Sequence, residues 1–158
     1  MSKIASIHIN NFKFFRLSAP ILLDGKHLLL YGENGSGKSS VYYGLYTLLQ
    51  SASKQVADVQ KYFRPNDRES LLNIYADFSA GPENTDSYLS IEDTDGRVYK
   101  LSYSDTDCMA DSNLIESNRA SDFMNYVSLF RFKLFSSFKT VCIFLKFFHV
   151  KFHILNKF

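Results

Sequence analysis

The 158-residue sequence has no tryptophan, two cysteines, three prolines and seven glycines. Cys108 and Cys142 are too few for a disulfide scaffold, and neither sits in a Cys-x-x-Cys or other metal-binding spacing. A reducing, cytoplasmic setting is therefore expected. The scarcity of proline and glycine excludes collagen-like and low-complexity chains. Residues 1–10 lack the apolar core of a signal peptide, so no secretory leader is expected. No uncharged apolar run reaches the roughly 18–20 residues of a membrane span. The most apolar stretch, near the C-terminus, is interrupted by Lys133, Lys139, Lys146 and Lys151.

Acidic residues are missing from one region only. Residues 129–158 hold no Asp, Glu, Gly or Pro, but six Lys or Arg and nine of the fifteen Phe. The overall net charge of +2 hides this asymmetry, because residues 1–128 carry 12 basic and 16 acidic residues. That balance excludes a uniformly basic nucleic-acid binder. Length allows one domain, expected over residues 1–130, with 131–158 as a Phe/Lys-rich tail.

Periodicity supplies a coarse element map. Ile4–Ile9 alternates as a strand, and Phe12–Phe15 either prolongs it or turns a corner. Pro20–Leu23 is a short apolar run before Asp24-Gly25, a hairpin-type turn signal. His27–Tyr31 is a continuous apolar run of the kind buried on both faces of a sheet. Lys38 to about Gln50 predicts a helix, with Val41, Leu45, Leu48 and Leu49 on one stripe. Residues 53–70 are polar and include a turn at Arg64–Asp67. Asn73–Ser79, Tyr88–Glu92 and Arg97–Tyr103 read as three antiparallel strands, and Leu114–Phe130 as a helix.

One motif carries chemistry. Gly32-Glu33-Asn34-Gly35-Ser36-Gly37-Lys38-Ser39 fits G-x-x-x-x-G-K-[ST]. Phosphate oxygens must lie within reach of several main-chain N–H groups at once, and glycines let the chain wrap that closely. The loop opens a helix, whose free N–H groups and dipole favour an anion. Lys38 is expected to reach the β and γ phosphates, Ser39 to ligate Mg²⁺, and Ser40 to donate to the α-phosphate. The cofactors expected are thus ATP and Mg²⁺.

Together with Asn11-Phe12-Lys13-Phe14-Phe15, the stretch Asn34–Ser40 resembles the N-terminal part of RecF/SMC/SbcC-type heads, which are ABC-like P-loop ATPases. The likeness spans about residues 3–130, and its specific part is about 40 residues. It implies an α/β fold, a P-loop NTPase head fragment with an antiparallel β subdomain. It also places Lys13, and more weakly Arg16, near the nucleotide phosphates. Relatives dimerise on DNA under ATP control in repair, recombination or phage defence. The implied partners are ATP, a C-terminal half-head or second head, and DNA in the complete protein.

Parts needed for hydrolysis are not evident. Gln50, Gln55 and Gln60 follow the loop too soon to be a Gln loop, and no Leu-Ser-Gly-Gly occurs. Ile91-Glu92-Asp93 and Tyr75-Ala76-Asp77 have too short an apolar lead to be the Asp-Glu strand. The chain is therefore expected to be an incomplete head that binds ATP without efficient hydrolysis, its tail reading as truncated or out-of-frame translation. Rival readings of the tail are a core-covering segment and a basic surface helix with Lys139, Lys146, His149, His153 and Lys157 on one side. A membrane is not expected as a partner. A small self-contained kinase and a non-catalytic remnant remain alternatives. His8 and His27 read as structural. Tyr42, Tyr43 and Tyr46 read as packing residues, and Asp105, Asp107 and Asp111 as a solvated loop.

Overall fold

The computed structural model describes residues 3–17, 20–84, 86–124, 140–145 and 150–156. Two four-stranded sheets organise them. The first is antiparallel, in the order β2 (Ile21–Leu22), β1 (Ile4–Asn10), β4 (Tyr88–Asp93), β5 (Val98–Ser102). The second has the order β3 (Leu28–Gly32), β8 (Val150–Asn156), β7 (Thr140–Leu145), β6 (Ser121–Met124), with β3 parallel to β8 and the other pairs antiparallel. Three helices accompany them: α1 (Lys38–Ser51), α2 (Val56–Gln60) and α3 (Ser112–Arg119).

The core forms where α1 lies on the antiparallel sheet. Ile4, Ile7 and Ile9 of β1 and Leu89 and Ile91 of β4 are buried with Val41, Leu45, Leu48 and Leu49. Strict alternation would not bury both Ile4 and Ile7. A register shift between Ile4 and Ser6 inserts the extra residue that turns both inward. Gly44 has a packing role. A Cβ there would stand 3.0 Å from Ile9 Cδ1 and 3.3 Å from Leu89 Cδ2. Its absence lets α1 approach the sheet, which offsets the roughly 1 kcal/mol that a mid-helix glycine costs. Phe12, Val59 and Phe63 close one end of the core.

Several expectations need correction. The run 73–79 is not a strand. The Asn73 side chain accepts from Tyr75 N–H, and Asp77 accepts from Ser79 N–H, so local side-chain turns displace a ladder. The antiparallel sheet instead recruits β1 and β2 beside β4 and β5. His27–Tyr31 is not buried on both faces: in β3, Leu29 and Tyr31 are 58% and 63% exposed, while Leu28 and Leu30 face the core. The Asp24-Gly25 turn closes on a Lys26 N–H to Leu23 C=O bond of 2.8 Å, but leads from one sheet to the other, not into a hairpin.

The helix from Leu114 is short. It begins at Ser112, ends at Arg119, and gives way to β6, which pairs with β7. Residues 125–130 of that predicted helix, Tyr126, Val127 and Phe130 among them, lie outside the described residues. In the tail, residues 140–145 and 150–156 are strands, so a surface helix through them is excluded. Lys139, Lys146, His149 and Lys157 of that reading lie outside the described residues. Among the described residues, no helix is long and apolar enough to cross a membrane.

Asp111 starts α3, its carboxylate accepting from Asn113 N–H at 2.7 Å and Leu114 N–H at 3.4 Å. Asp111→Ala removes the oxygen that accepts both bonds and should cost about 1 kcal/mol of stability, read as a lower urea midpoint with an unchanged slope.

Candidate phosphate-binding site

The chain leaves β3 at Gly32 and enters α1 at Lys38 through a turn that only glycine tolerates well. Gly35 and Gly37 both have φ of +85°. Left-handed backbone of this kind costs an L-residue about 1–2 kcal/mol. Gly37 is also the N-cap of α1, where no side chain supplies a capping bond and no acidic residue occupies the first turn. The positive end of the helix thus has neither a side-chain cap nor a first-turn carboxylate. Among the described residues, the N–H groups of Gly35, Gly37, Lys38 and Ser39 have no hydrogen-bond acceptor. They surround a cavity of about 220 Å³ lined by Phe14 and residues 34–40.

Lys38 lies across the loop. Its ammonium donates to Gly32 C=O at 2.9 Å, Glu33 C=O at 2.5 Å and Ser36 Oγ at 3.1 Å. An ammonium has three donors, and all three are used. This explains how Lys38 can be only 7% exposed without an anionic partner. A phosphate that engages Lys38 must exchange for one of these acceptors. Ser39 is exposed, with its hydroxyl unengaged among the described residues, so it suits a metal ligand. Ser40 is buried, and its Oγ accepts from Phe14 N–H at 3.2 Å, which leaves its own proton available to an anion. Gly32 is tightly placed, since a Cβ there would meet Ser36 Oγ at 2.9 Å. Glu33 and Asn34 are exposed on the outer turn.

The expected companion segment does reach the loop, through a different residue. Residues 11–16 form a tight turn in which Phe12 and Phe15 exchange backbone bonds of 2.9 Å, and Asn11 and Lys13 take φ of 46° and 49°. Asn73 holds this turn by donating from Nδ2 to Lys13 C=O at 2.7 Å. Phe14, at the tip, packs on Gly37: a Cβ on Gly37 would fall 2.6 Å from the ring. Lys13 is not among the residues lining the cavity. Its ammonium sits 4.5 Å from the centroid of the Tyr43 ring on α1. The sequence pattern marks neither Phe14 nor Asn73 as a site residue, since both act through contacts with distant parts of the chain.

The other candidates have structural occupations. Tyr42 is buried and stacked on Tyr46 at 6.1 Å, and burial first, then its tyrosine neighbours, raises its pKa. His8 pairs with the Tyr88 hydroxyl at 3.1 Å. Asp93 caps the β4–β5 turn by accepting from Asp95 and Arg97 N–H, each at 2.9 Å, and Glu92 accepts from Ser6 Oγ at 3.2 Å. Among the described residues, no group of three or more His, Cys, Asp or Glu is placed to hold a metal ion. In comparisons with known proteins, no family model, no curated protein and no solved structure matches the chain.

The Phe14–Gly37 contact predicts a coupled pair. Gly37→Ala should destabilise the chain by at least about 1 kcal/mol, and by less when Phe14→Ala has already vacated the ring. A double-mutant cycle in urea should show about 0.5 kcal/mol or more of coupling; strict additivity would contradict the contact.

Proposed function

We propose that this chain binds ATP with Mg²⁺ through residues 32–40, as the nucleotide-binding part of a RecF/SMC-like ATPase head. The observation that carries the reading is the set of unclaimed N–H groups of Gly35, Gly37, Lys38 and Ser39, at a helix N-terminus with no side-chain cap, in residues that line one cavity. The sequence motif and the backbone thus point to the same anion. Polyphosphate oxygens accept from these amides, and Lys38 supplies the charge once it releases a loop carbonyl. The Ser39 hydroxyl is the ligand for Mg²⁺, whose chemistry is to screen the phosphates and hold them in one geometry.

Binding without efficient turnover follows from what else is present. Glu92 and Asp93 are committed to sheet and turn bonds, and Asp77 is a turn residue held by Ser79 N–H. None of these carboxylates lines the loop cavity. The groups that polarise an attacking water are proposed to come from a C-terminal half-head or a second head. DNA engagement in repair, recombination or phage defence is the role that the resemblance suggests for the complete assembly. Lys13 is proposed as a secondary phosphate contact, reached by swinging its side chain away from Tyr43.

Lys38→Ala should weaken ATP or ADP binding at least tenfold by calorimetry, because a charge-assisted phosphate contact contributes about 1.5–3 kcal/mol. Circular dichroism of the variant establishes that it is folded. Equal affinity in the two proteins would reject the phosphate cradle.

A further inference from the structure

A second concave feature lies well away from the loop, along β5. This strand ends the antiparallel sheet, with β4 as its only neighbour among the described strands. The phase of its hydrogen bonds follows from the turn. Asp93 N–H donates to Arg97 C=O at 3.0 Å, so the bonded positions continue at Tyr99 and Leu101, opposite Ile91 and Leu89. The main-chain groups of Val98, Lys100 and Ser102 therefore face outward. Ser102 confirms that phase, because its N–H donates to Asp105 C=O at 2.8 Å across the turn that follows. Val98 and Lys100 have no such partner among the described residues.

After that turn the chain runs back beside β5 as the 3-10 turn Asp107–Ala110 and the cap of α3. A cleft of about 510 Å³ is left between the two banks. Arg97, Val98, Tyr99 and Lys100 form one bank, and Asp105, Asp107, Cys108 and Asp111 the other. Arg97 and the first three residues of β5 line the same cleft in succession, as expected where a ligand meets a strand edge-on. The second bank is acidic: its three carboxylates form no ion pair, the one ion pair among the described residues being Lys61–Asp58, and they outnumber Arg97 and Lys100 on the facing bank. Lys100 turns its ammonium toward the Tyr88 ring, 5.0 Å from the centroid. Burial and then the charge of Asp105 push the Cys108 thiol up to about 12, with Asp107 and Asp111 adding to the rise. The Tyr99 hydroxyl, on a residue only 3% exposed, has no hydrogen-bond partner among the described residues.

We propose that this cleft is a strand-addition site that takes an extended, basic peptide onto the free edge of β5. The exposed N–H and C=O groups of Val98 and Lys100 supply the ladder, and Asp105 and Asp107 select Lys or Arg side chains projecting from the added strand. Negative charge beside an open edge attracts such a segment and repels acidic ones. The site is independent of the nucleotide reading.

The test uses the full chain and a fluorescein-labelled Lys-Val-Lys-Val-Lys-Val peptide, followed by anisotropy at low salt. Binding is expected, with affinity falling as salt rises. Methylating every backbone amide of the peptide should weaken it at least tenfold, since the ladder is lost while charge is kept. Asp105→Asn with Asp107→Asn should weaken it at least threefold, and a Glu-Val-Glu-Val-Glu-Val peptide should not bind. Absence of binding by the basic peptide, equal binding of its methylated form, or an unchanged affinity in the double variant would overturn the proposal.

Discussion

The three hydrogen bonds that Lys38 makes across its own loop are the constraint on which the site depends. They tie the first residue of α1 to the last residue of β3 and to Glu33. A buried ammonium needs every donor satisfied. The loop must therefore curl until two carbonyls and a hydroxyl converge on one nitrogen. That curvature comes with left-handed backbone at Gly35 and Gly37, and it leaves the N–H groups of Gly35, Gly37, Lys38 and Ser39, residues that line the cavity, without an acceptor among the described residues. The cation thus shapes the loop through acceptors of the chain itself, and under the proposed function a phosphate would compete with those acceptors.

The loop is also braced from outside. The turn at 11–16 brings Phe14 onto Gly37 and its N–H onto Ser40. That turn is itself held by Asn73, from a segment sixty positions further along the chain. Gly37 therefore has two reasons to be glycine, one torsional and one steric. Gly44, one turn and more into the same helix, has a third kind, since it admits the aliphatic tips of Ile9 and Leu89. Sheet, helix and loop are positioned together, so changes in the Phe12–Phe15 turn act on the cavity without touching a ligand.

Much of this arrangement was legible in the sequence where local chemistry and burial agree. β1, β4, β5, α1 and the glycine-rich turn between β3 and α1 are readable because alternation, helical stripe and glycine spacing are local signals. The misreadings have identifiable causes. Asn73 and Asp77 sit in a run with apolar members, but their side chains satisfy nearby N–H groups and win over strand pairing. Beyond Arg119 the helical stripe competes with the pairing of β6 to β7, a long-range contact that periodicity cannot register. Lys13 is named by its place in a motif, and no local pattern shows that its ammonium rests on the face of Tyr43. Phe14 was invisible as a site residue, because its role depends on a contact with Gly37 across the fold.

The parallel pairing of β3 with β8 joins residues from opposite ends of the chain, Leu28 with Phe152 and Gly32 with Asn156. β3 has no other strand neighbour among those described. During synthesis at roughly 5–20 residues per second, the strand that leads into the glycine-rich loop emerges from the ribosome on the order of ten seconds before its ladder partner. The antiparallel sheet between β1 and β5 has its strands available much earlier. The pairing that completes β3 is thus available only after the antiparallel sheet has all its strands, and until then the leucine-rich β3 has no ladder partner among the described strands.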